Sequence, residues 1–213
     1  MTEVISIENL SKSFKDKTVL SNINLHFEKG KIYGIVGDNG SGKTVLLKLI
    51  CGFLKPDTGK VTVNGKVIGR DRDFPEDTGI IIEAPGFLPN YSGMKNLEYL
   101  ASIRGKVGKT DIRAAMRTVG LDPESKLKVG KYSLGMKQRL GIAQAIMENQ
   151  SLLVLDEPMN ALDKAAVAEM RELFLRFKQE GRTLLIISHN DEDISTLCDE
   201  VYEFDGTNIK KCD

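Results

Sequence analysis

Apolar and polar positions change period several times along the 213 residues, and each change predicts an element. Residues 3–9 (Val4, Ile5, Ile7) and 19–27 (Val19, Leu20, Ile23, Leu25, Phe27) carry alternating or β-branched apolar positions, which read as strands. Gly30 precedes a short unbroken apolar run over 32–36, the pattern of a strand buried on both faces. From 43 to 53 the period turns helical, with Val45, Leu46, Leu49 and Ile50 on one face and Gly52 and Pro56 as stops. Residues 61–68 read as a hairpin about Asn64-Gly65, because that pair supplies the two positive φ angles of a type I′ turn. Another short strand is predicted at 79–83.

Beyond Glu83 the pattern is helical, over 96–103, 110–119 and 134–148, punctuated by Gly105, Gly108, Gly120 and Pro123. Strands resume at 152–156 and 183–188, with a long helix from about 164 to 179 between them, and a last strand, 201–204, ends at Asp205-Gly206. Strands alternating with crossover helices predict an α/β fold on a mostly parallel sheet, with a helical insertion near 84–150.

Composition narrows the partners. Thirty basic residues balance thirty acidic ones, so the excess that marks a nucleic-acid footprint is missing and no nucleic-acid partner is expected. The first ten residues lack the basic and apolar regions of a signal peptide, and no apolar run approaches the ~18–20 residues of a membrane span. The chain is expected in the cytosol, with any membrane association supplied by a partner. Three cysteines without metal-ligand spacing suit a reducing compartment, and Cys51 and Cys198 are expected inside helices.

Two segments carry chemistry. Gly37-Asp38-Asn39-Gly40-Ser41-Gly42-Lys43-Thr44 follows a predicted strand and opens a predicted helix, the context of a phosphate-binding P-loop. Its glycines let backbone N–H groups turn toward phosphates, and the helix adds its positive end. Lys43 is suited to the β/γ phosphates and the Thr44 hydroxyl to Mg²⁺. In the second segment an apolar run, 152–155, delivers Asp156 and Glu157 to the end of a buried strand. Asp156 is placed to hold Mg²⁺ through water and Glu157 to polarise an attacking water as general base. The plainer alternatives are a glycine turn before a helix and a strand ending in a solvated acidic turn.

With these two segments and Tyr132-Ser133-Leu134-Gly135-Met136-Lys137-Gln138, the chain resembles the nucleotide-binding subunit of ABC transporters over nearly its whole length. The resemblance implies one domain, 1–213. Its nucleotide-binding core, a P-loop NTPase fold with a mostly parallel sheet and an N-terminal antiparallel β subdomain, spans 1–83 and 151–213, with a helical subdomain inserted at 84–150. It implies ATP and Mg²⁺ as cofactors. ATP is cradled by Gly37, Asp38, Asn39, Gly40, Ser41, Gly42, Lys43, Thr44 and Val45, with Phe14 stacked on adenine. Ser133 and Gly135 of one copy close over the γ-phosphate of another, and Asp163, in Asn160-Ala161-Leu162-Asp163, senses the opposite site. Catalysis falls to Lys43, Glu157 and the switch histidine His189, and metal binding to Thr44, Asp156 and Glu83.

Glu83 is a departure, because the family usually places Gln there. Leu134, Met136 and Met159 replace the family's usual residues too. Glu83, the following 84–90 segment and the YSLGMKQRLG string are similar to ATPase subunits of bacterial exporters for bacitracin-like and lantibiotic peptides. The implied activity is ATP hydrolysis driving a separate membrane-spanning permease that exports drugs or antimicrobial peptides. The chain is then a homodimer or pseudo-dimer with ATP at its interface, at the cytoplasmic face of the membrane. Phe87, Leu88, Tyr91 and Met94 are the expected seat for the permease, with half of them available to the core. A soluble ATP-driven switch acting on a protein or nucleic-acid partner is the alternative.

Overall fold

The computed structural model describes residues 2–15, 17–83 and 86–212. The N-terminal strands β1 (Glu3–Phe14) and β2 (Lys17–Glu28) pair antiparallel as a long ribbon. With β4 (Thr58–Val63) and β5 (Lys66–Val67) they form a four-stranded antiparallel sheet ordered β2-β1-β4-β5. The β4–β5 turn has Asn64 at φ 49° and Gly65 at φ 74°, as the Asn-Gly pair predicts.

The second sheet holds β3 (Ile32–Val36), β6 (Thr78–Ile81), β7 (Leu152–Asp156), β8 (Thr183–Ile187), β9 (Glu200–Asp205) and β10 (Asn208–Lys211). Its order is β10-β9-β3-β8-β7-β6, parallel throughout except for the β10 edge. The central strands are apolar at nearly every position because both faces are covered. Helix α1 (Lys43–Ile50) lies in one core, where Leu46, Leu47, Leu49 and Ile50 meet Ile5, Val61 and Val154. On the other face, α2 (Gly93–Arg104), α3 (Lys109–Thr118), α4 (Leu134–Ile146) and α5 (Lys164–Gln179) pack over Leu153, Leu155, Leu184 and Ile186. Helix α4 sits so close to β6 that a Cβ on Gly79 would lie 1.9 Å from the Ala145 carbonyl oxygen.

β10, with one apolar residue in four, and the seven-residue α6 (Asp191–Leu197) lie beyond the sequence pattern. The 79–83 strand ends at Ile81, leaving Glu83 in a bend at φ 61°. Cys51 and Cys198 are C-caps of α1 and α6 rather than interior helical residues. Burial pushes both thiols up to about 12, so both stay protonated and inert. Among the described residues no helix is long and apolar enough to cross a membrane.

Candidate functional site: a phosphate-binding cleft

Because β3, β8 and β7 are adjacent and parallel, their C-terminal ends open on one edge of the sheet. The loop after β3, Asp156-Glu157 after β7 and His189 after β8 therefore converge, as ligand sites do in open α/β sheets. Phe14, Asn39, Gly40, Gly42, Lys43, Thr44, Val45, Asp156, Glu157 and His189 line a single cleft of about 320 Å³. Val19 of β2 and Ile187 line it too, and the sequence pattern marked them only as strand residues. Asp38 and Ser41 line an adjoining cavity that shares Asn39 and Gly40, and Gly37 lines another that shares His189.

Gly42 is the N-cap of α1 at φ 115°, and a Cβ there would lie 2.7 Å from Val19 Cγ1. Only glycine takes this backbone turn so close to β2. Lys43 is buried, and its Nζ donates to the carbonyl oxygens of Gly37 (2.6 Å) and Asp38 (2.8 Å). Burial lowers its pKa, while Glu157, Asp156 and Asp38 oppose that shift. The ammonium thus rests on the loop's own carbonyls, ready to exchange them for a stronger anionic acceptor. Ser41 Oγ is buried with no hydrogen-bond partner, as befits a group held for a ligand.

Thr44 Oγ1 donates to Asp156 Oδ2 at 2.8 Å, joining the first turn of α1 to the end of β7. Glu157 sits half-buried at φ 49°, with Oε1 3.4 Å from His189 Nε2 and without a hydrogen bond. Burial raises the Glu157 pKa above the ordinary carboxylate value, and His189 and Lys43 pull against the rise. A carboxylate tuned upward, with Oε1 free of hydrogen bonds, is suited to take a proton. The His189 loop is fixed behind by Ser188 Oγ, which donates to buried Asp193 Oδ2 (3.0 Å) and accepts from Asn190 N (3.1 Å). Arg171 Nε of α5 donates to the other Asp193 oxygen at 2.8 Å.

Three further predicted binding residues line neither this cleft nor the cavities adjoining it. Ser133 caps α4, accepting from Met136 N at 3.1 Å, and Asp163 caps α5, accepting from Ala166 N at 2.9 Å. Gly135 packs beside the Asp163 loop, where an added Cβ would lie 3.0 Å from the Ala161 carbonyl oxygen. One chain thus presents two separate features: the cleft, and a surface formed by Ser133, Gly135 and the 160–163 loop.

The expectation that Glu83 joins Thr44 and Asp156 as a metal ligand differs from the structure. Glu83 does not line their cleft, and its Oε1 meets Lys48 Nζ at 2.6 Å. It lines a separate depression of about 480 Å³ with Phe53, Ile103, Arg104 and Glu148. Lys48 stands one turn beyond Thr44 on α1.

Of the expected permease seat, Phe87 and Met94 pack against the core, while Leu88 and Tyr91 are exposed. Buried Asn96 fixes this segment, accepting from Leu88 N (2.7 Å) and donating to Leu88 O (3.1 Å) and Ser92 O (3.0 Å). Ala84 and Pro85 of the same segment lie outside the described residues.

Residues 20–160 match the ABC transporter family. The chain is 46% identical over 200 residues to the uncharacterized ABC transporter ATP-binding protein YybJ of Bacillus subtilis, covering 94% of this chain and 92% of that one. It is 42% identical over 203 residues to the bacitracin transport ATP-binding protein BcrA of Enterococcus faecalis, covering 94% of this chain and 66% of the relative. In fold it is similar to the dimeric post-hydrolysis ATP-binding cassette MJ0796 bound to ADP and Pi, with a TM-score of 0.85 at 20% identity over 97% of this chain and 98% of that one.

Proposed function

The chain belongs to the ABC transporter family as an ATP-binding, ATP-hydrolysing subunit, and from that membership we propose a division of labour among its residues and partners. The observation that carries the reading is the convergence of Lys43, the Thr44–Asp156 pair and the Glu157–His189 pair in one cleft. ATP lies with its phosphates on the 37–44 loop and its adenine against Phe14, whose ring is exposed at the end of β1. Lys43 leaves the Gly37 and Asp38 carbonyls for the β/γ phosphates. Glu157 accepts the proton of the attacking water, and His189 holds the γ-phosphate. Positioning and charge neutralisation carry the catalysis, because phosphoryl transfer asks little covalent chemistry of the protein.

Thr44 and Asp156 offer two hard oxygen donors within 2.8 Å of each other, a donor set that suits Mg²⁺. When bound, Mg²⁺ supplies positive charge at the phosphate oxygens. Ser133, Gly135 and Asp163 serve the nucleotide of a second copy, so the working unit is a head-to-tail dimer with two ATP. Its closing and opening drive a separate membrane-spanning permease seated at Leu88, Tyr91 and the depression holding Glu83, at the cytoplasmic face of the membrane. The helical segment 84–150 is the part that carries this motion, and peptide antibiotics of the bacitracin type are the expected cargo.

The test is co-purification of the tagged chain from gently solubilised native membranes, with mass spectrometry of whatever accompanies it. A stoichiometric multi-span hydrophobic protein is the expected result. Recovery with soluble proteins or nucleic acid alone contradicts the transport role and points to the ATP-driven switch.

A further inference from the structure

Gln138 lies on α4, five residues beyond the Ser133 cap, and its side chain reaches the loop after β7. Its Nε2 donates to two successive carbonyl oxygens, those of Glu157 (3.1 Å) and Pro158 (2.9 Å). Both amide protons are thereby spent on the backbone of one turn. That turn needs holding. Glu157 sits at φ 49°, a left-handed conformation that non-glycine residues resist. Its other fastenings are backbone bonds: Glu157 N donates to Ile187 O at 3.0 Å and Asn160 N donates to Glu157 O at 3.2 Å. Gln138 adds a side-chain hold from a different part of the fold, the helical segment between β6 and β7.

Backbone angle at Glu157 decides where its carboxylate points. Pro158, next in the chain, has no N–H of its own to help fix the turn. We infer that Gln138 is a positioning residue for hydrolysis. Its amide holds the Glu157–Pro158 peptides in the strained turn and makes the aim of Glu157 depend on how α4 is docked. The helix whose Ser133 end meets the second copy's nucleotide is thus tied to the base of its own site. This inference rests on Glu157 being the general base. Its chemistry is specific, because the two carbonyls require a donor. Met at 138 fills the space without donating, Glu sets a carboxylate against two carbonyl oxygens, and Lys restores a donor at nearly the same reach.

The experiment compares Gln138→Met, Gln138→Glu and Gln138→Lys with the unaltered chain in ATP turnover, ATP affinity and amide exchange over 159–163. Met and Glu are expected to lower kcat about tenfold and leave ATP affinity within about twofold, since nucleotide touches the loop and not Gln138. Exchange at the Asn160 amide rises in both, and Lys holds kcat within about threefold of the unaltered chain. Equal turnover in all three variants overturns the inference, as does a loss of ATP affinity that parallels the loss of turnover. Should the Met variant not fold, the Glu and Lys pair decides by the same criterion. Glu157→Gln, run alongside, separates the two levels. If it turns over normally, the reading of Glu157 fails. If it is inactive while the Gln138 variants are normal, only the role of Gln138 fails.

Discussion

Glu83 shows how a single residue's surroundings redirect its chemistry. Its φ of 61° turns the chain out of β6, and the Lys48 ammonium, 35 residues away in sequence, takes its carboxylate. With about two thirds of the Glu83 side chain exposed, that ion pair contributes little to stability. Glu83→Gln is therefore expected to leave the Mg²⁺ dependence of hydrolysis and the ATP affinity within about twofold of the unaltered chain. A metal titration that shifts by tenfold or more in the variant places Glu83 on the cation after all. Residues named by a local string fared differently. Lys43, Thr44, Asp156 and Glu157 were legible because strand, loop and helix specify where each stands, and the parallel sheet then brings the loops together. Gln138 was not legible as a partner of Glu157, since nothing in helical periodicity reports a contact with a carbonyl 19 residues onward.

At the scale of elements, long apolar runs predicted their strands well because burial on both faces leaves little choice of residue. β10 escaped that logic. An edge strand has one neighbour and one solvated side, so Asn208–Lys211 carries only Ile209 as an apolar signal. Helix α6 is too short for a period to show, although Asn190 caps it and three acidic residues fill its first turn. The β9–β3 edge is held by charge as well. Lys31 and Lys211 both reach the Glu200 carboxylate, at 2.7 and 2.9 Å, and their hydrogen bonds lower its pKa from 4.5 to about 2. A carboxylate whose folded pKa is depressed stabilises the fold above its unfolded value and loses that contribution as pH falls through the folded one. Glu200→Gln should then lower the urea midpoint by about 0.3 M near neutral pH, with the gap closing between pH 4.5 and about 2. A gap that stays constant across that range contradicts the assignment.

For the whole molecule, we propose that the parts of one nucleotide site are divided between two copies. The phosphate cleft opens at the C-terminal edge of the parallel sheet, whereas Ser133, Gly135 and the Asp163 loop stand outside it. The free N–H groups at the α4 N-terminus favour an anion there. On this proposal a second copy related by a two-fold axis completes both sites at once by an isologous contact, the commonest symmetry of soluble oligomers. On the same proposal hydrolysis reopens the pair, which makes ATP both the fuel and the glue.

The most direct measurement of that claim is the solution mass of Glu157→Gln by sedimentation or light scattering, with and without saturating Mg·ATP. Loss of the general base should slow hydrolysis by about 10²- to 10⁴-fold and leave nucleotide binding intact, so the closed state accumulates. The account predicts a monomer without nucleotide and a stable dimer with Mg·ATP, dispersing again when ADP replaces it. A chain that binds Mg·ATP to saturation and remains a monomer contradicts the divided site.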